Sequence, residues 1–380
     1  MKLGVPNQSA LGEKRVALVP DVAKKLAARG VEAVVESGAG ELSHIPDQAY
    51  TDAGVTVGSA ADAWGAEVVA VVRAPSVEEI GRLERGSVLI GFLAPLTSAD
   101  TTRALADAGV TAFAVEAIPR ISRAQAMDAL SSQASLGGYR AVLLAAVEMG
   151  RFFPMLTTAA GTIKPASVLV LGAGVAGLQA IATARRLGAV VTAFDVREAV
   201  REQVESLGAR FLELDLGGAD AEGEGGYAKE LAEDAAKRQQ DALAEAIGRF
   251  DVVITTAQVP GRRAPLLVTA AAVENMKPGS VIVDMAGESG GNCELTEPGE
   301  TVVKHDVTIA SPLNLPGDMP DHASQLYSRN VSALLELMIG DEGALKLDFD
   351  DAVIAGACIT RDGEIVHEGA KQAVSAGAAG

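Results

Sequence analysis

The chain has 380 residues, of which 48% are hydrophobic, enough for two or three domains with substantial cores. Its 50 acidic residues outnumber 32 basic ones, and the net charge of −18 opposes binding to nucleic acid or to anionic lipid. Two cysteines, Cys293 and Cys358, exclude a disulfide framework and fit a reducing compartment, and four scattered histidines show no ligand-like spacing, so no metal site is expected.

No apolar run approaches the roughly 18 residues that a membrane-spanning helix needs. The first residues, MKLGVPNQ, lack the apolar centre and cleavage site of a signal peptide, so the expected location is the cytoplasm, without direct membrane insertion.

Lys2 to Pro6 reads as a short strand, and the loop Asn7 to Arg15 that follows carries Glu13, Lys14 and Arg15. A helix from Asp21 to Arg29, a strand Val31 to Val35 and a helix from about Asp47 to Ala53 come next. Apolar runs Val68 to Val72, Val88 to Phe92 and Val110 to Ala114 continue the alternation, separated by helical stretches such as Ala99 to Ala108. Repeated strand–helix units of this length predict a doubly wound, mainly parallel sheet covered on both faces. Gly38-Ala-Gly40 reads as a turn and not a nucleotide loop, because it lacks a third glycine and runs into Glu41, Leu42 and Ser43.

From Ile121 to Arg151 the pattern is helical, with Gly137-Gly138 as the place where the helix would break, and it predicts a connector beside an interdomain cleft. A second Rossmann-like domain starts at about Ala134.

Its opening stretch, Ser167 to Arg197, is the most informative in the chain. Val168 to Leu171 run straight into Gly172-Ala-Gly174-Val-Ala-Gly177, a helical pattern follows, and the apolar run Val190 to Phe194 ends in Asp195. That order is strand, tight turn, helix and second strand, with an acid 18 positions after Gly177, which matches the dinucleotide-binding fingerprint. Gly172 permits the turn, Gly174 lets the backbone approach a pyrophosphate, and Gly177 lets helix and strand pack closely. The helix start, with Val175, offers free N–H groups to phosphate.

Asp195 would accept hydrogen bonds from the adenine ribose and repel a 2′-phosphate, which favours NAD(H) over NADP(H). Arg197 stands against this, since it offers a 2′-phosphate partner. Val196 and Arg197 complete the expected cofactor-binding set at this strand end.

The later half predicts a helix over Val196 to Leu207 and strands at Phe211 to Leu214, Val252 to Thr255, Val281 to Asp284 and Val307 to Ala310, a sheet of about six strands. LGGADAEGEGGY, ending at Tyr227, is too rich in glycine and acid to bury much apolar surface, and predicts a mobile loop over about 215–228 with Tyr227 as a lid residue. The alternative is an exposed linker with the tyrosine packed on the next helix. A helix over about Ala323 to Met338 should return to the first domain, which then comprises 1–133 plus 314–380, with 134–313 as the second.

GVPNQSALGEKRVALVP, PRISRAQAMDALSSQASLGGYRA, KPGSVIVD and CITRDGEIVH together resemble the NAD(H)-binding component of the proton-translocating nicotinamide nucleotide transhydrogenases, relatives of alanine dehydrogenase. The resemblance covers nearly the whole chain. It implies that the loop Pro119 to Ser131 holds the nicotinamide end, through Arg120, Gln125, Asp128 and Ser131, and that Tyr227 belongs to the family's mobile loop. A carboxamide has one acceptor and two donors, which Arg120, Gln125 and Ser131 can meet, while an Arg120–Asp128 pair would hold the loop in shape. Arg123 with Asp128 as a mere surface salt bridge is the plainer alternative. Thr255, Ala257, Gln258 and Pro260, in TTAQVPG, would pass under the nicotinamide ribose.

The resemblance further implies hydride transfer from NADH to NADP⁺ on a separate NADP(H)-binding component III, coupled to proton movement by a membrane component II. The chain would then be a detached subunit, peripheral to the inner membrane through these partners and dimeric like the family. Two rival readings are a self-contained amino-acid dehydrogenase and an NAD(H) sensor without catalysis. The first needs a proton carrier in the cleft, yet the family's lysine position holds Arg73, its histidine position falls in Gly91-Phe-Leu-Ala-Pro95, and its aspartate position holds Glu288. The second would need no loop aimed at the nicotinamide.

Overall fold

Apolar strands alternating with amphipathic helices give each half of the chain its own sheet. The structure is a computed structural model that describes residues 1–214 and 233–377. It divides into two units, Met1–Gln133 with Gly317–Gly380, and Ala134–Pro316.

In the first unit β1 (Lys2–Val5), β2 (Glu32–Glu36), β3 (Thr56–Gly58), β4 (Val68–Ala70), β5 (Val88–Gly91) and β6 (Thr111–Ala114) pair in the order β6-β5-β4-β1-β2-β3, all parallel. Every residue of β4, β5 and β6 is buried, as expected of parallel strands covered on both faces. The helix Pro20–Ala27 starts on proline, which has no N–H to leave unpaired, and buries Val22, Ala23 and Leu26.

The stretch expected to be one long helix from Ile121 is two elements. A 3₁₀ segment, Ser122–Met127, ends at Asp128, and the α-helix runs Ala129–Glu148 without interruption at Gly137-Gly138. Asp128 stops the first and starts the second: its Oδ1 accepts the Ser131 N–H at 2.9 Å, an N-cap. Gly138 serves packing, since a Cβ there would lie 2.1 Å from the Ala176 carbonyl oxygen.

The second unit adds a hairpin of β7 (Leu156–Thr158) and β8 (Gly161–Ile163), then β9 (Ser167–Leu171), β10 (Val190–Phe194), β11 (Arg210–Phe211), β12 (Val252–Thr255), β13 (Val281–Asp284), β14 (Thr301–Lys304) and β15 (Val307–Ala310). The main sheet has seven strands in the order β11-β10-β9-β12-β13-β15-β14. The expected set of about six lacked β14, an edge strand that pairs antiparallel with β15 through a tight turn at His305 and Asp306, both with positive φ. β11 is two residues where four were expected. The helix expected from Val196 begins at Arg201, after a 3₁₀ turn at Glu198–Val200, because Arg197 is held extended.

The chain then returns to the first unit. The helix Pro320–Glu336 packs into its core, where Ser324 and Ser328 accept the Val16 and Val19 N–H groups and the Tyr327 hydroxyl donates to the Val71 carbonyl at 2.6 Å. β16 (Cys358–Arg361) adds antiparallel to β6, and β17 (Glu364–Ile365) to β16, completing eight strands.

Candidate functional site

β9 is buried from Val168 to Leu171, and the chain leaves it through Gly172 at φ +99°, where a side chain would be strained. The helix Val175–Arg186 follows at once, and a Cβ at Gly177 would lie 1.9 Å from the Gly172 carbonyl oxygen. Gly174 differs: it is the N-cap, no side chain caps the helix, and a Cβ there would meet nothing within 4 Å. Uncapped N–H groups therefore face open space beside an exposed Val175, a setting that suits an anionic group.

Thr256 pins this turn from the neighbouring strand end. Its Oγ1 donates to the Gly172 carbonyl at 3.1 Å and its N–H to the Leu171 carbonyl at 2.8 Å. Thr255 points the other way, as successive residues of a strand do, and its hydroxyl meets Asp284 inside the core.

Asp284 gathers the far side. Fully buried, it accepts from Thr255 Oγ1, from the N–H groups of Ala286, Asn292 and Cys293, and from Thr296 Oγ1. Asn292 in turn donates through Nδ2 to the Ala257 carbonyl at 2.9 Å, and Gln258 donates through Nε2 to the Met285 carbonyl at 2.9 Å. The segment after β12 is thus tied to the segment after β13, with Gln258 and Pro260 exposed.

Asp195 and Arg197, the two rivals for the ribose, bind each other. Asp195 Oδ1 accepts the Arg197 N–H at 2.9 Å and its Nε at 3.0 Å, and Oδ2 accepts Arg197 Nη2 at 3.1 Å and the Ala173 N–H at 2.7 Å. The carboxylate is thereby joined to the glycine turn itself. Val196, between them, packs partly buried against the core.

Arg120, Gln125, Asp128 and Ser131 belong to the first unit. Arg120 and Gln125 are exposed, while Asp128 takes both the N–H and the hydroxyl of Ser131, the latter at 2.6 Å. Arg123 does not pair with Asp128. Its guanidinium forks onto Asp351, at 2.8 and 2.6 Å, and holds that carboxyl down at about 2. Tyr227 and the loop at 215–228 lie outside the described residues.

The first unit also buries Arg15, whose Nε and Nη2 donate to the two oxygens of Glu13, each at 2.8 Å, and whose Nη1 donates to Gln133 Oε1 at 2.9 Å. Arg73 donates to the Ala74 carbonyl and pairs with Glu79 at 3.4 Å. Among the described residues, no group of three or more His, Cys, Asp or Glu could hold a metal ion, and no helix is long and apolar enough to cross a membrane.

Comparison with known proteins agrees with this layout. The family profile "Alanine dehydrogenase/PNT, N-terminal domain" matches residues 4–137, and "Alanine dehydrogenase/PNT, C-terminal domain" matches 141–368. An NAD(P) transhydrogenase alpha-subunit polypeptide of Rhodospirillum rubrum is 49% identical over 376 residues, covering 97% of this chain and 98% of that protein. The crystal structure of transhydrogenase from Sinorhizobium meliloti superposes with a TM-score of 0.85 at 44% identity, covering 97% and 99% of the two chains. Alanine dehydrogenase of Mycolicibacterium smegmatis is 30% identical over 378 residues, covering 97% of this chain and 95% of that one. With both profiles matched in sequence order and relatives aligned over almost their full length, this chain belongs to the alanine dehydrogenase/PNT family.

Proposed function

We propose that this protein is the NAD(H)-binding component of a proton-translocating transhydrogenase. One observation carries the reading: the 49% identity to the R. rubrum transhydrogenase polypeptide spans 98% of that protein. The turn at Gly172, Gly174 and Gly177 holds the pyrophosphate on the uncapped helix start, and Asp195 selects the ribose of NAD(H). The open space over Gly174 fits a phosphate, which a side chain there would displace.

Bound NADH supplies the hydride. The protein's own task is orientation, since direct transfer needs the two reacting carbons at about 3 to 3.5 Å. Arg120 and Gln125, on the exposed segment, and Ser131, in the first turn of the helix that follows, hold the carboxamide, and Asp128 fixes that segment by capping the helix. Thr256 steadies the glycine turn, while Ala257, Gln258 and Pro260 belong to the segment under the nicotinamide ribose, and Thr255, buried against Asp284, anchors that segment from the strand end. No protein group gains or loses a proton during the transfer itself. The acceptor is NADP⁺, which becomes NADPH on the NADP(H)-binding partner component III; a membrane component II couples the reaction to proton translocation, and the chain works as a homodimer on the cytoplasmic face of the membrane that holds them.

Alanine dehydrogenase activity is the rival, favoured by the 30% identity to that enzyme. Of the basic residues it would use, Arg15 is already engaged by Glu13 and Gln133, and the lysine position holds Arg73, paired with Glu79. Gly91-Phe-Leu-Ala-Pro95 supplies no histidine. The test is one assay with two mixtures. Purified protein oxidises NADH with an NADP⁺ analogue once the NADP(H)-binding component is added, and does nothing with pyruvate and ammonia; turnover in the second mixture reverses the assignment.

A further inference from the structure

We propose that Arg197 is a latch on the carboxylate that recognises the nucleotide, so that the dinucleotide must displace its guanidinium from Asp195 in order to bind. The proposal rests on the reading of the glycine turn as the NAD(H) site. A carboxylate has about four lone-pair positions. At Asp195 four protein donors occupy them: Ala173 N, Arg197 N, Arg197 Nε and Arg197 Nη2, at 2.7 to 3.1 Å.

A ribose diol presents two hydroxyls to one carboxylate, so two of these donors must yield. Ala173 N belongs to the glycine turn and Arg197 N to the main chain two residues on, and neither moves without reshaping the strand ends. The guanidinium can move. Its side chain is 22% exposed against 7% for Asp195, and it is held by the carboxylate as a bidentate fork.

The pair also sets cofactor choice. While Asp195 keeps its charge it captures Arg197, and this cation beside the ribose site is neutralised before a 2′-phosphate can use it. Neutralising Asp195 breaks this fork, and a guanidinium matches a phosphate in the same bidentate manner. Selectivity then resides in the ion pair and not in the acid alone.

Isothermal titration of NADH and NADPH against wild type, Arg197→Met, Asp195→Asn and the double variant tests this, with thermal melting as the check on folding. Arg197→Met should bind NADH about three- to tenfold more tightly, because no competitor has to leave. Asp195→Asn should gain NADPH binding, and the double variant should lose that gain. NADH binding by folded Arg197→Met that is unchanged or weaker overturns the latch, and an NADPH gain that survives in the double variant overturns the role in selectivity. Wild-type protein that binds neither nucleotide brings down the glycine-turn reading and the latch together, whereas normal NADH binding by wild type with no gain in Arg197→Met removes the latch alone.

Discussion

Thr255 Oγ1 donates to Asp284 Oδ1 at 2.8 Å with both side chains fully buried, and this bond joins the ends of two adjacent parallel strands. Asp284 accepts four further bonds from the segment 286–296, so its carboxylate organises the loop after β13. Removing it would strand several buried donors at once. Asp284→Ala should cost at least about 3 kcal/mol of stability, and Thr255→Val about 1 to 2 kcal/mol. Urea denaturation of the two variants and their double is the check, and additive effects would mean the two side chains are not coupled.

Gly138 and Gly174 should respond oppositely to the same change. A Cβ at Gly138 would collide with the Ala176 backbone at 2.1 Å, whereas one at Gly174 meets only open space. Gly138→Ala should therefore destabilise the protein by about 1 to 3 kcal/mol or more. Gly174→Ala should leave stability within about 1 kcal/mol of wild type and weaken NADH binding at least about tenfold. Melting curves and nucleotide titrations on both variants separate the packing glycine from the binding one.

Glu116 gives the stability a pH dependence. Its Oε1 accepts the N–H groups of Leu93 and Ala94, its Oε2 is buried without a partner, and burial pushes the carboxyl up to about 7. The folded state holds the proton up to about pH 7, while the unfolded chain releases it near the ordinary value of 4.5. This contribution is fully present below about pH 4.5 and is lost as pH rises towards 7. Relative to Glu116→Gln, wild type should lose on the order of 1 to 3 kcal/mol across that window and run parallel above it. Urea midpoints at intervals from about pH 5 to 8 decide this, and parallel curves throughout would show that Glu116 does not titrate there.

Asp351 does two jobs, accepting the Arg123 fork and capping the helix Ala352–Ala357 through the Val353 N–H at 2.7 Å. Asp351→Ala loses both and should cost about 1 to 2 kcal/mol, most of it the cap. Asp351→Ser keeps the cap and should retain most of the stability. Because the carboxyl is held down at about 2, the Asp351 contribution is present above its ordinary value of 3.8 and disappears only as pH falls towards 2. Thermal melting near neutral pH and in acid measures both effects.

The hydride-transfer role of the exposed loop has its own signature. Gln125→Ala and Ser131→Ala should slow transfer by roughly 10-fold to 100-fold with the partner component present, while leaving NADH affinity close to wild type. Single-turnover rates set beside binding titrations show the split, and a parallel loss of affinity would make these residues binding groups without a special part in orientation.

Features written in short windows were legible from the amino-acid order. The doubly wound class followed from apolar runs of strand length between helical ones, and the strand–turn–helix at Gly172 to Gly177 followed because a turn's backbone demands act within a few residues. Edge strands were harder: β14 is half exposed and lacks the unbroken apolar run that marks the buried parallel strands. Side-chain partners far apart in the chain could be settled only by the fold. Arg123 lies five residues before Asp128 yet pairs with Asp351, Gly137-Gly138 looked like a helix break and is a close-packing surface, and Asp284 meets Thr255 only once β12 and β13 lie side by side. Even Asp195 and Arg197, two residues apart, were legible as rivals and not as partners, because the strand end and the glycine turn had to meet before Ala173 could hold the carboxylate in Arg197's reach. Backbone conformation answers to its neighbours in sequence, whereas the direction of a side chain and the group it meets answer to packing.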